Sequence, residues 1–393
     1  MLSGLRSVKL LIQHDMEMVR ILSSTKIGPA MPMANFENVI VPERESIIMQ
    51  SAKASPPWYR VNDLTICGKR VTRLIVTLMP VCGVFVLLTS ITSSGIFFGS
   101  DVTCADGCKL RMHPWFTRQC ACSVMEINCF ERGITGRATD MHSVFQSLDA
   151  RVLNSLIVSH FPELVFTEDS RRFNRLMTLE LYNSTVVEWP STSSLSLPYF
   201  PVLTTIFFLR SHLMKGLPDG IATNLSPEII DIEFIATELG GPLPDDLDEK
   251  WPSVVMLYVE HCGLQDFPLV LTRMGLTDVS LAGNNISVLP DSLSPSSMYI
   301  MLDRNPLDSL PDSFGSLEQL VCLTVQYTNI SIFPQSLIAG STDIKFRARG
   351  TPYCHNLPPD SPEAKFALCA KDELSNGVFP LVMRDRDRAI QLT

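Results

Sequence analysis

The sequence has little positive charge. It contains 32 Lys and Arg residues against 41 Asp and Glu residues, which gives a formal net charge of −9 over 393 residues. Nucleic-acid-binding proteins normally present a basic face, so this balance argues against that class. Charged residues of both signs make up only 19% of the chain, and 46% of the residues are hydrophobic. Such a composition favours folded domains over disorder, and the length allows two or three of them.

Signatures of catalysis are also missing. The sequence has no Gly-rich phosphate loop and no HRD-like or DFG-like stretch, and residues 1–73 are too few for a kinase domain. The histidines are scattered, with no nucleophile elbow and no metal-binding pair beside them. We therefore expect that the protein is not an enzyme and uses no cofactor and no metal ion.

Charge is absent altogether from residues 74–100, which read LIVTLMPVCGVFVLLTSITSSGIFFGS. As a helix this segment would be roughly 40 Å long, enough to cross a hydrocarbon core of about 30 Å. A buried core helix is the alternative, but a core helix of this length normally carries a polar face. We expect a single transmembrane helix over residues 74–100.

The flanks of this segment predict its orientation. Lys69, Arg70 and Arg73 precede it, and Asp101 and Asp106 follow it. The positive-inside rule then leaves residues 1–73 as a largely flexible cytoplasmic segment and places residues 101–393 on the extracellular or lumenal side. Nine of the eleven cysteines lie on that side, as do all the N-glycosylation sequons. The predicted glycosylation sites are Asn183, Asn224, Asn285 and Asn329.

Cysteines cluster at two places after the apolar segment. Residues 101–139 form a Cys-rich segment in which two disulfides would leave one thiol over, free or paired with another chain. A zinc site that includes His113 is an alternative, although the spacing matches no common zinc motif. At the other end, a disulfide between Cys354 and Cys369 would cover the last repeat, and two free thiols are the alternative. The first cluster consists of Cys104, Cys108, Cys120, Cys122 and Cys129.

The remaining sequence is organised by a repeat, of which LTDVSLAGNNISVLP at residues 276–290 is a clear copy. Similar units end at Pro190, Pro218, Pro244, Pro268, Pro290, Pro311 and Pro334, at spacings of 21 to 28 residues. This resembles the L-x-x-L-x-L-x-x-N/C-x-L pattern of the leucine-rich-repeat superfamily. The resemblance predicts an α/β solenoid over residues 140–353. Its curved parallel sheet would face an irregular or 3₁₀ convex side, and residues 354–393 would form a C-terminal cap and tail.

Two short stretches carry a narrower resemblance. HPWFTRQCACSVMEINCF, which starts at residue 113, and FPLVMRDRDRAIQ, which starts at residue 379, are similar to predicted membrane leucine-rich-repeat proteins of oomycetes. The resemblance implies a recognition protein at the cell surface or an internal membrane. Because the chain shows no kinase, a receptor of this kind would need a separate signalling co-receptor.

Candidate binding residues lie between the core leucines of each strand. Their side chains are expected on the concave surface, the face of the sheet opposite the core. Aromatic side chains in an acidic frame are typical of protein-binding surfaces, so we expect a protein or peptide ligand with basic groups. An ordinary solvated sheet face is the alternative. The predicted residues are Glu180, Tyr182, Phe207, Asp231, Glu233, Tyr258, Glu260, Asp278, Tyr299 and Asp303.

Two other functions fit the same sequence. The protein could be a structural or adhesive ectodomain that uses its glycans and the spare cysteine for lateral contacts. With the opposite topology, it could be a cytosolic repeat scaffold tethered to a membrane.

Overall fold

The computed structural model describes residues 61–93, 104–112, 120–312, 318–335, 337, 344–358, 360–369 and 379–389. The predicted cytoplasmic segment up to residue 60, and His113, lie outside these ranges. The α-helices among the described residues are α1 Val61–Ser93, α2 Cys129–Arg132, α3 Ala138–Ser147, α4 Asp219–Ala222, α5 Leu247–Lys250, α6 Pro352–His355, α7 Pro362–Phe366 and α8 Leu381–Ala389.

Helix α1 contains Arg73–Ile91, a segment long and apolar enough to cross a membrane. Its apolar side chains point outward. Leu74 is 59% exposed and Met79 is 69% exposed. A core helix would bury such side chains, so their exposure argues against a buried core helix. The helix begins at Val61 rather than at residue 74, and the end of the predicted span, residues 94–100, lies outside the described part of the chain.

One long sheet runs through the described repeats, and its strand order follows the chain. Every neighbouring pair from β2 to β14 is parallel. The predicted α/β parallel-sheet solenoid is therefore confirmed. The strands of this sheet are β1 Cys108–Met112, β2 Ala121–Asn128, β3 Ser155–Ser159, β5 Thr178–Tyr182, β7 Thr205–Leu209, β9 Asp231–Ile235, β10 Met256–Glu260, β11 Asp278–Ser280, β12 Tyr299–Met301, β13 Cys322–Thr324 and β14 Lys345–Arg347.

The return segments opposite this sheet are short. Among the described residues, three of these segments are 3₁₀ turns, Glu168–Arg172, Ser191–Ser193 and Leu269–Thr272. Pro190, Pro218 and Pro268 stand directly before Ser191–Ser193, α4 and Leu269–Thr272, with φ of −73°, −72° and −67°. The ring presets the φ that the first turn needs, which explains the periodic prolines. A second parallel sheet, which the sequence pattern does not predict, consists of β4 Leu164–Val165, β6 Thr185–Glu188 and β8 His212–Leu213.

The core is a stack of equivalent side chains from successive strands. Leu179, Ile206, Ile232 and Leu257 are aligned partners, each at most 1% exposed. The repeat pattern follows from this alignment, because each unit buries its apolar edge only against its neighbours. Aromatic rings fill the core of the longer N-terminal repeats, where the ring centroids of Phe166 and Trp189 lie 3.7 Å apart and those of Phe208 and Phe234 lie 4.8 Å apart.

A column of polar side chains runs through the turns after the strands. Asn284 donates to the carbonyls of Val259 and Leu281 at 2.6 and 2.8 Å, and its side-chain oxygen accepts from the N–H groups of Cys262 and Leu264. Asn305 repeats this arrangement one unit later. Such bonds satisfy backbone groups that the turn would otherwise bury unpaired. Cys262 and the short hydroxyl side chains of other repeats occupy the same position, namely Ser184, Ser211, Thr237, Thr328 and Thr351.

A second column lies beside the first, directly after the strands β3, β5, β7, β9 and β10 and three residues after the shorter strands β11 to β14. Every described member has a positive φ, between 45° and 76°. The chain turns sharply there, and side chains other than Gly tolerate this conformation only at a cost in free energy. We call these residues the turn column: His160, Asn183, Arg210, Ala236, His261, Gly283, Arg304, Tyr327 and Gly350.

Disulfides lie at both ends of the solenoid. Strand β1 pairs antiparallel with β2, and Cys104–Cys120 and Cys108–Cys122 tie it in place. Strand β2 pairs in register with β3, although it lies N-terminal to the predicted repeat boundary at residue 140. The repeat pattern did not include β2 because its sequence lacks the leucine spacing. At the other end Cys354 and Cys369 are bonded across α6 and α7.

Candidate functional site

The concave surface carries the side chains of three aligned columns. In the middle column, Glu180, Phe207, Glu233 and Tyr258 are successive partners on β5, β7, β9 and β10. The outer column on the same four strands is Tyr182, Leu209, Ile235 and Glu260. The structure thus brings seven of the ten predicted binding residues together on these strands, with Asp231 in the remaining column. Their role in ligand binding remains a prediction.

Most of these residues are buried, whereas the sequence predicted a solvent-exposed face. Glu180 is 3% exposed, Tyr182 6% and Glu260 0%. Asp231 and Glu233 are also buried, and Phe207 and Tyr258 are partly buried. Another part of the same chain contacts several of them and covers that part of the surface.

The covering segment is Phe379–Asp385, which includes the first half of α8. The ring of Phe379 lies 5.9 Å from that of Phe207, and its backbone N–H donates to Glu260 Oε2 at 3.0 Å. Leu381 packs on the same apolar patch. This patch consists of Tyr182, Leu209 and Ile235, with Phe207 and Tyr258 at its border.

The far end of the segment makes charged contacts. Asp385 accepts two bonds from Arg210, at 2.7 and 2.6 Å, and one from the Tyr182 hydroxyl at 3.0 Å. Arg384 lies 3.7 Å from Glu180 and above the Phe207 ring, 5.7 Å from its centroid. The segment therefore runs across the sheet from β10 to β5, held by aromatic, main-chain and ionic contacts.

The sequence pattern did not point to Arg210, and it placed Leu209 and Ile235 on the concave surface without counting them among the binding residues. Arg210 belongs to the turn column, just past the strand pattern that defined the candidates. Leu209 and Ile235 follow Phe208 and Phe234, and consecutive apolar residues in a strand indicate that both faces are covered. That run of apolar residues was the available signal.

Burial also sets the ionisation of this surface. Desolvation raises the pKa of Glu260 to about 7, against bonds from Ser280 and Phe379 that favour the carboxylate. Desolvation, followed by the nearby carboxylates, raises the pKa of Tyr258, so its hydroxyl stays protonated. The bond from Arg210 lowers the pKa of Asp385, which is therefore ionised at neutral pH.

The last three candidates lie on later repeats, on β11, on β12 and just after β12. Tyr299 is 39% exposed on β12 and Asp278 is half-buried on β11. Asp303 is buried and accepts from the N–H and side-chain amide of Gln326. The Asp303 carboxylate therefore stabilises the contact between two successive repeats.

The other predicted sites lie on separate parts of the solenoid. All four sequon asparagines, Asn183, Asn224, Asn285 and Asn329, are exposed. The thiol left over in the Cys-rich segment belongs to Cys129, which is 5% exposed and donates to the His160 carbonyl. Burial raises the pKa of this thiol, so it is a poor nucleophile.

Catalytic groups are sparse in the part of the chain that the structure describes. No three His, Cys, Asp or Glu side chains there converge as metal ligands. An open depression of about 520 Å³ lies beside His142 and Asp169, whose side chains are 2.7 Å apart. The neighbouring Ser143 donates to the Thr139 carbonyl of its own helix rather than to His142.

Comparisons with known proteins complete the description. No protein-family profile and no curated protein sequence matches the chain. Among solved structures, InlP of Listeria monocytogenes is 18% identical, with a TM-score of 0.36 over 53% of this chain and 68% of its own. An internalin-like protein of Listeria monocytogenes is 20% identical, with a TM-score of 0.39 over 56% and 68%. An LRR protein of Leptospira interrogans is 15% identical, with a TM-score of 0.34 over 56% and 72%. Because these identities and TM-scores are low, the solenoid is established by the strand register and by the polar side chains in the turns, both described above, rather than by these neighbours.

Proposed function

We propose that this chain is a membrane-anchored recognition protein of the leucine-rich-repeat type, which binds a protein or peptide on its concave surface. The observation that carries the proposal is that this surface already holds a peptide, the segment Phe379–Asp385 of the same chain. The contacts combine an aromatic pair, a main-chain hydrogen bond and a bidentate ion pair. These are the elements of specific peptide recognition.

The topology is part of the proposal. Helix α1 would cross the membrane once, and the solenoid would lie on the extracellular or lumenal side. The exposed sequon asparagines support that side, as do the three disulfides. A separate co-receptor would carry the signal, as the narrower resemblance to oomycete membrane proteins implies.

The two other functions find less support. An adhesive ectodomain linked through its spare cysteine would need an accessible thiol, whereas Cys129 is buried under the first repeat. A cytosolic scaffold would have to keep three disulfides in a reducing compartment.

Sidedness is tested on intact membrane vesicles from cells that express the full chain. Endoglycosidase should shift its mobility, and external protease should leave the solenoid intact in sealed microsomes. Loss of the solenoid to external protease, with no glycan on any sequon, would establish the cytosolic topology instead.

The binding surface is tested by selecting random displayed peptides on the purified full chain. Phe207→Ala combined with Tyr258→Ala should abolish binding of most selected peptides. Tyr327→Ala is the matched control, since Tyr327 is an exposed aromatic of the turn column that packs on Arg304 and Arg349. If both variants bind the selected peptides as the wild type does, the ligand surface is elsewhere.

A further inference from the structure

The segment Phe379–Asp385 follows the C-terminal disulfide of the solenoid in the sequence. The Cys354–Cys369 disulfide fixes the chain up to residue 369, and residues 370–378 separate it from Phe379. A connection of nine residues spans at most roughly 30 Å. A ligand joined to its site in this way faces it at an effective concentration of about 1 mM, so modest contacts suffice to keep it bound.

The contacts also define what the surface recognises. Phe379 supplies a ring to Phe207 and its N–H to Glu260, and Leu381 adds an aliphatic side chain. Four residues after Leu381, Asp385 meets Arg210 and Tyr182, beside Arg384 at Glu180. Val382 and Met383 point away from the sheet, 81% and 57% exposed. Only one face of the segment is therefore recognised.

The electrostatics are complementary. Arg210 is the cation that the acidic concave surface offers to Asp385, and Glu180 is a buried carboxylate that Arg384 approaches. Arg384 of the segment thus faces Glu180, and the adjacent Asp385 faces Arg210, so each charge of the pair meets an opposite charge. A ligand with basic groups alone would leave Arg210 without its carboxylate partner.

We propose that Phe379–Asp385 is an internal competitor for the ligand site, and that the external ligand is a peptide with the same chemistry. That chemistry is an aromatic residue, an aliphatic residue two positions later, and an Arg–Asp pair at five and six positions after the aromatic. The inference rests on the proposed function of the concave surface. An external peptide binds only when the internal segment leaves, so its apparent affinity is reduced by the fraction of molecules with an open surface.

The internal contact is tested without any added ligand. Hydrogen exchange of residues 379–389 is followed by mass spectrometry in the full chain in detergent micelles. Arg210→Gln and Asp385→Asn should each speed exchange about tenfold, the effect of losing a charge-assisted pair. Arg304→Gln is the matched control, an arginine of the turn column in another repeat, and Met383→Gln is the control on the segment. Equal exchange in all five proteins would overturn the proposal.

Competition is tested with a labelled synthetic peptide, NGVFPLVMRDRDRAIQLT, which corresponds to residues 376–393. By fluorescence anisotropy, the Asp385→Asn chain should bind it about tenfold more tightly than the wild-type chain, because its own segment has loosened. The Arg210→Gln chain should not gain affinity, since it loses the partner of Asp385. A peptide with Asp at the position of Asp385 replaced by Asn should bind weakly to every chain.

The outcomes separate the two proposals. If the Asp385→Asn chain exchanges fast but binds no peptide, the segment does dock but the surface is not a ligand site, and both the competitor role and the proposed function fail. If wild-type and Asp385→Asn chains bind the peptide equally well, the surface is a peptide site and the competitor role alone is wrong.

Discussion

The imidazole ring of His261 lies where a side chain of Gly283 would be. Both residues belong to the turn column, in successive repeats, and a Cβ on Gly283 would overlap the ring. Gly283 has φ of 71° and Gly263 has φ of 75°, but nothing lies within 4 Å of a Cβ on Gly263. The two glycines share the backbone conformation and differ in the neighbouring side chain.

This difference gives the first prediction. Both Gly283→Ala and Gly263→Ala should destabilise the protein by about 1 kcal/mol through the left-handed backbone. Gly283→Ala should lose about 1–3 kcal/mol more, because the ring must move. The measurement is urea unfolding followed by the fluorescence of buried Trp189 and Trp251. Adding His261→Ala should recover most of the extra loss, and a double variant no better than Gly283→Ala would show that the ring is not the cause.

The polar column gives the second prediction. Asn284→Ala removes four hydrogen bonds and leaves buried carbonyls and N–H groups unpaired, so it should cost about 3 kcal/mol or more of unfolding free energy. Its neighbour Asn285 is exposed, and the Asn285 side chain donates to the side-chain oxygen of Gln265 on the surface. Asn285→Ala, compared in protein without N-glycans, should cost less than about 0.5 kcal/mol. Equal losses would mean that the column does not hold the turns.

The third prediction concerns pH. Burial raises the pKa of Glu260 in the folded protein to about 7, from an ordinary value of 4.5. The folded state therefore holds this proton more tightly than the unfolded state, and stability falls as pH rises from about 4.5 to 7. Glu260→Gln has no such proton. Relative to the wild type, the variant should gain roughly 3 kcal/mol between pH 4.5 and pH 8. If the unfolding free energies of the two proteins change with pH in the same way, Glu260 does not have the raised pKa that its burial implies.

The fourth prediction concerns the C-terminal disulfide. Cys354 and Cys369 are 15 residues apart, a loop for which a disulfide stabilises by about 3 kcal/mol. Cys354→Ser with Cys369→Ser should lower the unfolding free energy by about that amount. Cys82→Ser, at an exposed thiol of α1, is the control and should leave unfolding of the solenoid unchanged. A loss confined to the last repeat, without a global shift, would show that the cap and the solenoid unfold separately.

Much of the solenoid could be predicted because the residue spacing within each repeat determines its strand, its core positions and its turn. Leu179 and Leu181 alternate with Glu180 along β5, and Asn284 follows the leucines of its own repeat at β11 at a fixed offset, so strand, core and turn all follow from local spacing. Strand β2 could not be predicted in this way, since Met125 and Ile127 fill the leucine positions without the repeat's usual flanks.

The covering segment could not be predicted from spacing at all. The contact between Tyr182 and Asp385 joins residues 203 positions apart, and the one between Phe379 and Glu260 joins residues 119 apart. No periodicity encodes such contacts. The candidate residues were found because the strands position them, whereas what covers them depends on a tail outside the repeat.

Strand β1 closes the N-terminal side of the sheet in the opposite direction to every other strand. It is short and carries Lys109 and Arg111, and Lys109 reaches the buried Glu126 of β2 at 3.1 Å. Without β1, the backbone of β2 would offer a bare template to a strand from another molecule. The two disulfides that hold β1 thus keep this edge of the sheet paired, and reducing conditions should favour association of molecules through the edge of β2.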